Sequence, residues 1–297
     1  SLITKYIIEK KIKPLSWNKI SGEILNNSNE FGALDASLDV ELCIKAEKIE
    51  ELEESKIKEK NIKFLPKILA FDVEVSEFEI GKGEILMISL VSENFKKVLT
   101  WKKLEKKLDF VETFKDESEM IEAFIKDVKE FSPDILVGYF SDGFDMLYLR
   151  ARAEKNNVKL TLGLDSRQPI FARGRIPSAQ ICGIIHVDLF RFIESVYSQY
   201  LQSETLGLND VASEILGEGK YDFEKKDGKK LKEEEWKDFF AYNLQDSILT
   251  YKLAEKFWPD MTEFCKIIQE PLFDITRSSM SQLVEDYILH NLEKYNE

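Results

Sequence analysis

The chain of 297 residues carries 42 Lys or Arg against 55 Asp or Glu, a formal charge of −13, and 43% of it is apolar. These proportions belong to a soluble globular chain rather than a disordered one, and the acidic balance sets aside a protein that grips duplex DNA through a broad basic face. Cys43, Cys182 and Cys265 stand far apart with no C-x-x-C pair and there are 2 histidines, so a Cys/His zinc site, a haem ligand pair and a disulfide framework are poor fits, and any bound metal must be held by oxygen.

Residues 1–66 read as an appendage. They open with a helix over 2–11, continue in a polar Gly/Asn/Ser stretch over 21–32, carry one strand over 38–46, and end in a charge run over 45–63 that reads as a solvated linker or helix surface. After Pro66 the pattern tightens. Residues 67–75 and 84–93 read as strands, and 97–101 as a third joined through a turn at Glu93 and Asn94. Asp116, with Glu119 three residues on, has the form of a helix start, and Met120, Ile121, Phe124, Ile125 and Val128 follow at helical spacing. A buried-type strand over 134–139 precedes a helix over 143–156, and a hairpin over 170–178 precedes a strand over 181–188. Helices are predicted over 189–200, 207–216, 233–258 and 278–295. This order predicts the α/β class, a mixed β-sheet flanked by α-helices with a small N-terminal appendage. The longest apolar stretches, over 135–138 and 181–185, fall far short of the ~20 residues a bilayer needs. The N-terminus lacks the form of a signal peptide, so a cytoplasmic location without membrane contact is the expectation.

Three local patterns bear on chemistry. In Leu69-Ala-Phe-Asp-Val-Glu-Val75, period-two alternation puts Asp72 and Glu74 on one strand face and Phe71, Val73 and Val75 on the other. Two such carboxylates ~4 Å apart at an effective dielectric near 20 repel by roughly 4 kcal/mol, a cost that a divalent cation reverses. Taken alone, an acidic pair on a wet sheet face explains the motif as well. In Tyr139-Phe-Ser-Asp-Gly-Phe-Asp145, Asp145 falls in the first turn of the following helix, where unpaired N–H groups favour a carboxylate. The alternative there is capping, with Asp142 or Ser141 as the cap and Asp145 closing the box. In Tyr242-Asn-Leu-Gln-Asp246, i,i+4 spacing lets the Tyr242 hydroxyl and the Asp246 carboxylate reach one point, unless they form a plain surface pair. Together the three patterns supply oxygen-only ligands for two hard cations and a hydroxyl to orient water, the requirements of two-metal phosphodiester hydrolysis. Six of the seven arginines (Arg150, Arg152, Arg167, Arg173, Arg175, Arg191) fall within 42 residues, which suits either a phosphate-contacting side or solvated charges.

At these residues the sequence resembles a known family. Ile68-Leu-Ala-Phe-Asp-Val-Glu74, Pro133-Asp-Ile-Leu-Val-Gly-Tyr139 with Gly143-Phe-Asp-Met-Leu-Tyr-Leu149, and Tyr242-Asn-Leu-Gln-Asp246 look like the three exonuclease motifs of family B DNA polymerases, above all archaeal ones. The resemblance runs from about residue 65 to Glu297, and Gly183-Ile-Ile-His-Val-Asp-Leu-Phe190, Thr205-Leu-Gly-Leu-Asn-Asp-Val-Ala212 and Pro271-Leu-Phe-Asp-Ile-Thr-Arg-Ser-Ser279 support it. It implies a ribonuclease H-like fold and 3′→5′ hydrolysis of single-stranded DNA 3′ ends, which is proofreading during DNA replication when a polymerase is attached.

Carried over residue by residue, the resemblance implies two divalent ions, Mg2+ or Mn2+. Asp72, Glu74 and Asp246 would hold the one that activates water, Asp72 and Asp145 the one at the leaving oxygen, and Tyr242 would position the nucleophile. Phe140, Ser141, Arg173 and Arg175 would contact DNA, and the hairpin would help part a frayed primer end from its template. The implied domains are 1–66, a remnant of the polymerase N-terminal domain with a linker; 67–270, the exonuclease; and 271–297, a helix leading toward the palm. The implied partners are a DNA 3′ end and the palm, fingers and thumb, in the same or a separate chain. No palm is expected before Glu297, nor most of the domain that reads template uracil in archaeal relatives, so nucleotide addition and uracil sensing are not expected here. Phe140 stands where the family usually has Asn, and Val75 where Thr or Ser is common. These departures keep a second expectation open, a weak or silent module that binds single-stranded DNA or docks polymerase parts, beside a third, an RNA-trimming relative.

Overall fold

A computed structural model of the chain describes residues 2–25, 38–59, 63–104, 107–174, 177–203, 205–219 and 232–292. Two compact units emerge: Ser1–Leu65 with Leu164–Ser166 and Phe257–Glu297, and Pro66–Gly163 with Arg167–Lys256. The first unit begins with helix α1 (Leu2–Glu9), strands β1 (Asn18–Ile24) and β2 (Ile44–Glu51), and the short helix α2 (Glu54–Glu59). The predicted strand over 38–46 is thereby corrected to β2, and the polar stretch that begins at Ser21 starts inside β1, since β1 and β2 pair antiparallel from Asn18↔Glu51 to Ile24↔Ile44. The part of that stretch over 26–32 lies outside the described residues. Both strands are exposed along most of their length, so no alternation of apolar residues marked them. Pairing also explains Gly22, where an added Cβ would sit 2.1 Å from the Lys45 carbonyl oxygen. Within the charge run, Ile44–Glu51 is strand and Glu54–Glu59 helix, and residues 60–62 lie outside the described residues.

The second unit is built on β3 (Ile68–Val75), β4 (Ile85–Ser92), β5 (Phe95–Thr100), β6 (Val111–Thr113), β7 (Ile135–Gly138) and β10 (Ile185–Asp188), with a separate ribbon of β8 (Ile170–Ala172) and β9 (Ser178–Gln180). The sheet order is β10-β7-β3-β4-β5-β6. β3 is antiparallel to β4 and parallel to β7, and β5 is parallel to the short β6, which the sequence did not signal. The α/β mixed sheet expected from the element order is what forms. One face packs Leu69, Phe71 and Val73 against Met120, Ile121 and Phe124 of α3 (Glu117–Phe131) and against Met146 and Leu149 of α4 (Asp145–Lys155). The start of α3 is the one predicted, with the Asp116 side chain accepting from the Glu119 N–H at 3.1 Å. A second cluster joins Met87 and Val98 to Trp236, Phe239 and Phe240 of the long helix α7 (Glu233–Ile268). Between α4 and α7 lie α5 (Leu189–Val196) and α6 (Leu208–Leu216).

α7 runs past Pro259, beyond the predicted end at residue 258. A proline inside a helix removes one hydrogen bond, yet the continuation buries Met261, Cys265 and Ile268, which offsets that loss. Its last residues belong to the first unit, followed by α8 (Leu272–Ile275) and α9 (Met280–His290). There Thr4 Oγ1 donates to Glu270 Oε2 at 2.8 Å, and His290 Nδ1 lies 2.7 Å from the Ile268 carbonyl oxygen. No helix among the described residues is long and apolar enough to cross a membrane.

Candidate metal centre

Alternation along β3 sends Phe71 and Val73 into the core and turns Asp72 and Glu74 to the face covered by α7. On α7, Tyr242 and Asp246 are one helical turn apart and face the same strand pair. Carboxylate oxygens of Asp72, Glu74 and Asp246 come within 4.8 Å of one another. Glu74 and Asp246 are buried and Asp72 half-buried, so their mutual repulsion is poorly screened by water. A set of carboxylate oxygens converging on one point matches a hard divalent cation, which prefers oxygen and cancels the crowded charge. Tyr242 hydrogen-bonds to Asp246, and its phenol is pushed above the ordinary tyrosine range, first by burial and then by the charges of Asp246, Glu74 and Asp72. It therefore keeps its proton throughout the neutral range.

Two residues next to the acids were not singled out from sequence. Asn243 is fully buried and its Nδ2 donates to Asp72 Oδ2 at 2.6 Å. Ser89, the cross-strand partner of Asp72, donates from Oγ to the Asn243 carbonyl oxygen at 2.9 Å and lies 2.6 Å from Ser247 Oγ. Period two would have placed Ser89 on the acidic face of β4, but only the strand register sets it opposite Asp72.

Asp145 stands in the first turn of α4, as predicted, and is buried with its Oδ1 accepting the Val73 N–H at 3.0 Å. It is not in the group of three oxygens drawn together around Asp72. Burial pushes its carboxyl up to about 7, against the lowering effect of the Val73 and Asp145 N–H groups, with Asp188 and Glu74 adding repulsion. The capping alternative for this loop is corrected. α4 has Phe144 at its cap position with no side-chain cap bond. Asp142 instead accepts from the Ala179 N–H at 2.9 Å and pairs with Arg191 at 3.1 Å, while Ser141 Oγ lies 2.9 Å from His186 Nε2. Asp188 holds the loop from the other side, accepting the N–H groups of Phe140 at 2.8 Å and Asp142 at 3.0 Å. Buried carboxylates that collect backbone N–H groups in this way fix a loop firmly.

The predicted DNA contacts are placed unevenly. Phe140 adopts φ 61, a left-handed backbone that an aromatic residue rarely takes, and the residue is 39% exposed. The ring packs edge-on against Phe190 at 5.2 Å and lies over Gly143, where an added Cβ would come within 2.5 Å of it. Ser141 is fully buried, so its hydroxyl is turned inward rather than toward solvent. Arg173 is exposed in the β8–β9 turn, and Arg175 lies outside the described residues. Three other clustered arginines serve internal contacts: Arg152 with Glu117, Arg191 with Asp142, and Arg150 against the Phe171 ring at 4.3 Å.

The family described as DNA polymerase family B, exonuclease domain, matches residues 1–209 of the chain. The DNA polymerase of Pyrococcus glycovorans is 36% identical over 241 residues, covering 78% of this chain and 30% of that one. The DNA polymerase of Thermococcus litoralis is 37% identical over 239 residues, covering 78% of this chain and 14% of that one. The chain thus spans only 14 to 30% of the length of these two relatives. The solved structure of the family B DNA polymerase from the hyperthermophilic archaeon Pyrobaculum calidifontis superimposes with a TM-score of 0.72 over 98% of this chain and 35% of that one, at 21% identity, which shows a shared fold. The mixed sheet with helices on both faces is accordingly the ribonuclease H-like arrangement expected from the motifs.

Proposed function

Since the chain belongs to the exonuclease-domain family of the family B DNA polymerases, we propose that it removes nucleotides from single-stranded DNA 3′ ends by two-metal hydrolysis and proofreads when joined to a polymerase. The observation that carries this reading is the meeting of Asp72, Glu74 and Asp246, from two distant stretches of chain, within 4.8 Å. These three residues would hold one divalent ion, Mg2+ or Mn2+, and Asp72 with Asp145 a second. Such ions, when bound, lower the pKa of water and neutralise charge on the phosphodiester. The chain's own groups do the rest. Tyr242, protonated and tied to Asp246, is placed to orient the attacking water. The loop that Asp188 and His186 hold carries Asp145 to the edge of β3, where the Val73 N–H fixes its carboxylate. Water adds to phosphorus and gives up a proton, the bond to the 3′ oxygen of the preceding nucleotide breaks, that oxygen takes up a proton to become a 3′ hydroxyl, and a nucleoside 5′-monophosphate leaves.

We read residues 67–270 as the exonuclease domain, 1–66 as a remnant of the preceding domain and 271–297 as the lead toward the palm, with fingers and thumb as further partners. Arg173 in its exposed turn and the Phe140 ring remain our proposed DNA contacts, together with Arg175. Ser141 is proposed to act on DNA only through the loop it anchors.

The test is degradation of a 3′-labelled single-stranded oligonucleotide with Mg2+ or Mn2+ by the parent chain and Asp72→Ala. Rapid release of label by the parent and its loss in the variant is the expected outcome, and equal release by both would end the assignment. One observation favours a second reading, a weak or silent DNA-binding or docking module: Phe140 places a ring over Gly143 at the position where an amide is usual in the family. DNA binding without metal uptake or cleavage would select that reading.

A further inference from the structure

Asn243 is a costly residue to bury. Its Nδ2 donates to Asp72, but its Oδ1 is enclosed without a hydrogen-bond partner. A half-satisfied amide in a dry environment weakens a fold, and a small apolar side chain would fill the space without that penalty. The orientation of the amide is set by elementary chemistry. An N–H attracts the Asp72 carboxylate, whereas a carbonyl turned toward it would repel it. Asn243 therefore supplies a neutral donor beside three acids that share one small volume. It restricts the rotation of Asp72 without adding to the positive charge that a cation would have to compete with.

The serines extend this contact into a register lock. Asp72 and Ser89 are cross-strand partners, and Asn243 and Ser247 are one helical turn apart on α7. Neighbours on the sheet thus meet neighbours on the helix, Asp72 with Asn243 and Ser89 with Ser247. The Ser89 hydroxyl proton is used on the Asn243 carbonyl, so Ser247 is the donor in the bond between the serines. Sliding or rotating α7 on the sheet would break these bonds together. Asp246 lies between Asn243 and Ser247 in the sequence, so the same lock sets where its carboxylate falls relative to Asp72 and Glu74.

We propose that Asn243 is a positioning residue of the metal centre, acting with Ser89 and Ser247 to hold Asp72 and Asp246 in place for a divalent cation while ligating none itself. This inference rests on the reading of the acids as a metal centre, and the experiment separates the two. Mn2+ uptake by the 297-residue chain is titrated for the parent, Asn243→Ala and Ser247→Ala, alongside thermal midpoints in EDTA and the kcat and KM of oligonucleotide hydrolysis. Asn243→Ala is expected to weaken Mn2+ binding about tenfold or more, ~1.4 kcal/mol per tenfold. Its midpoint in EDTA should stay within about 2 °C of the parent. Its lost kcat should return as Mn2+ is raised, with KM for DNA unchanged. Ser247→Ala, which leaves the amide in place, should weaken Mn2+ binding about threefold, and it decides the matter if Asn243→Ala does not fold. Parent-like Mn2+ affinity in the folded variants overturns the positioning role alone. A parent that takes up no Mn2+ overturns the metal reading and this inference with it.

Discussion

Replacing Asp246 by Asn should make the protein without metal more stable while removing its capacity to be stabilised by metal. The carboxylate oxygens of Asp72, Glu74 and Asp246 lie within 4.8 Å of one another. At an effective dielectric near 20, each charged pair at that distance repels by about 3.5 kcal/mol. Asp246→Asn takes away the charge in two of the pairs and keeps an oxygen in nearly the same place. Side-chain rotation already relieves part of the repulsion in the parent, so the expected gain is ~1–3 kcal/mol. In thermal denaturation with EDTA, that gain raises the midpoint by about 2–4 °C per kcal/mol for a unit of this size. Excess Mn2+ at ~100 times its Kd would stabilise the parent by about 2.7 kcal/mol through mass action, and the variant by far less. The two melting curves should therefore exchange order when EDTA is replaced by Mn2+. A variant that melts below the parent in EDTA would refute the electrostatic reasoning, because it would mean that the partners of the Asp246 carboxylate, Tyr242 among them, outweigh the crowding of the three acids.

Two further outcomes follow from the geometry. Asp145 keeps its proton up to about 7 in the fold against an ordinary 3.8, so between these values the native chain binds more protons than the unfolded one. Its contribution to stability in EDTA is thus present at low pH and lost as pH rises toward 7. Asp145→Asn, which still offers an oxygen to the Val73 N–H, should show a flatter fall in midpoint between the ordinary 3.8 and about 7; identical slopes would show that Asp145 is not the titrating group. Tyr242→Phe should slow hydrolysis by ~10², the scale of a positioned proton-handling group, with Mn2+ affinity kept. Loss of metal uptake in that variant would count against a water-orienting role.

The legible parts of the fold are those written within a few residues. The Asp116 cap, the alternation through Phe71, Asp72, Val73 and Glu74, and the Tyr242–Asp246 spacing all follow from local periodicity, and the structure uses each as the pattern implies. Where a local rule competed with distant contacts it failed. Pro259 does not end α7, because Met261 and Cys265 beyond it are buried. Asp142 does not cap α4, because Arg191 and the Ala179 N–H claim its carboxylate. β1 and β2 escaped notice because nearly every side chain along them is exposed, so the backbone pairing carried no apolar signature.

Residue types and their spacing determined on their own that any metal would be held by carboxylate oxygen and that the acids would stand at a strand end, at a helix start and on a late helix. Tertiary structure alone decided which of them meet. Asp246 joins Asp72 and Glu74, Asp145 is drawn aside to a backbone N–H, and Asn243 is brought from 171 residues away to hold Asp72. Side-chain direction is dictated by neighbours along the chain, whereas distance between remote carboxylates depends on strand register, helix placement and burial, which arise from the sum of many contacts far apart in sequence.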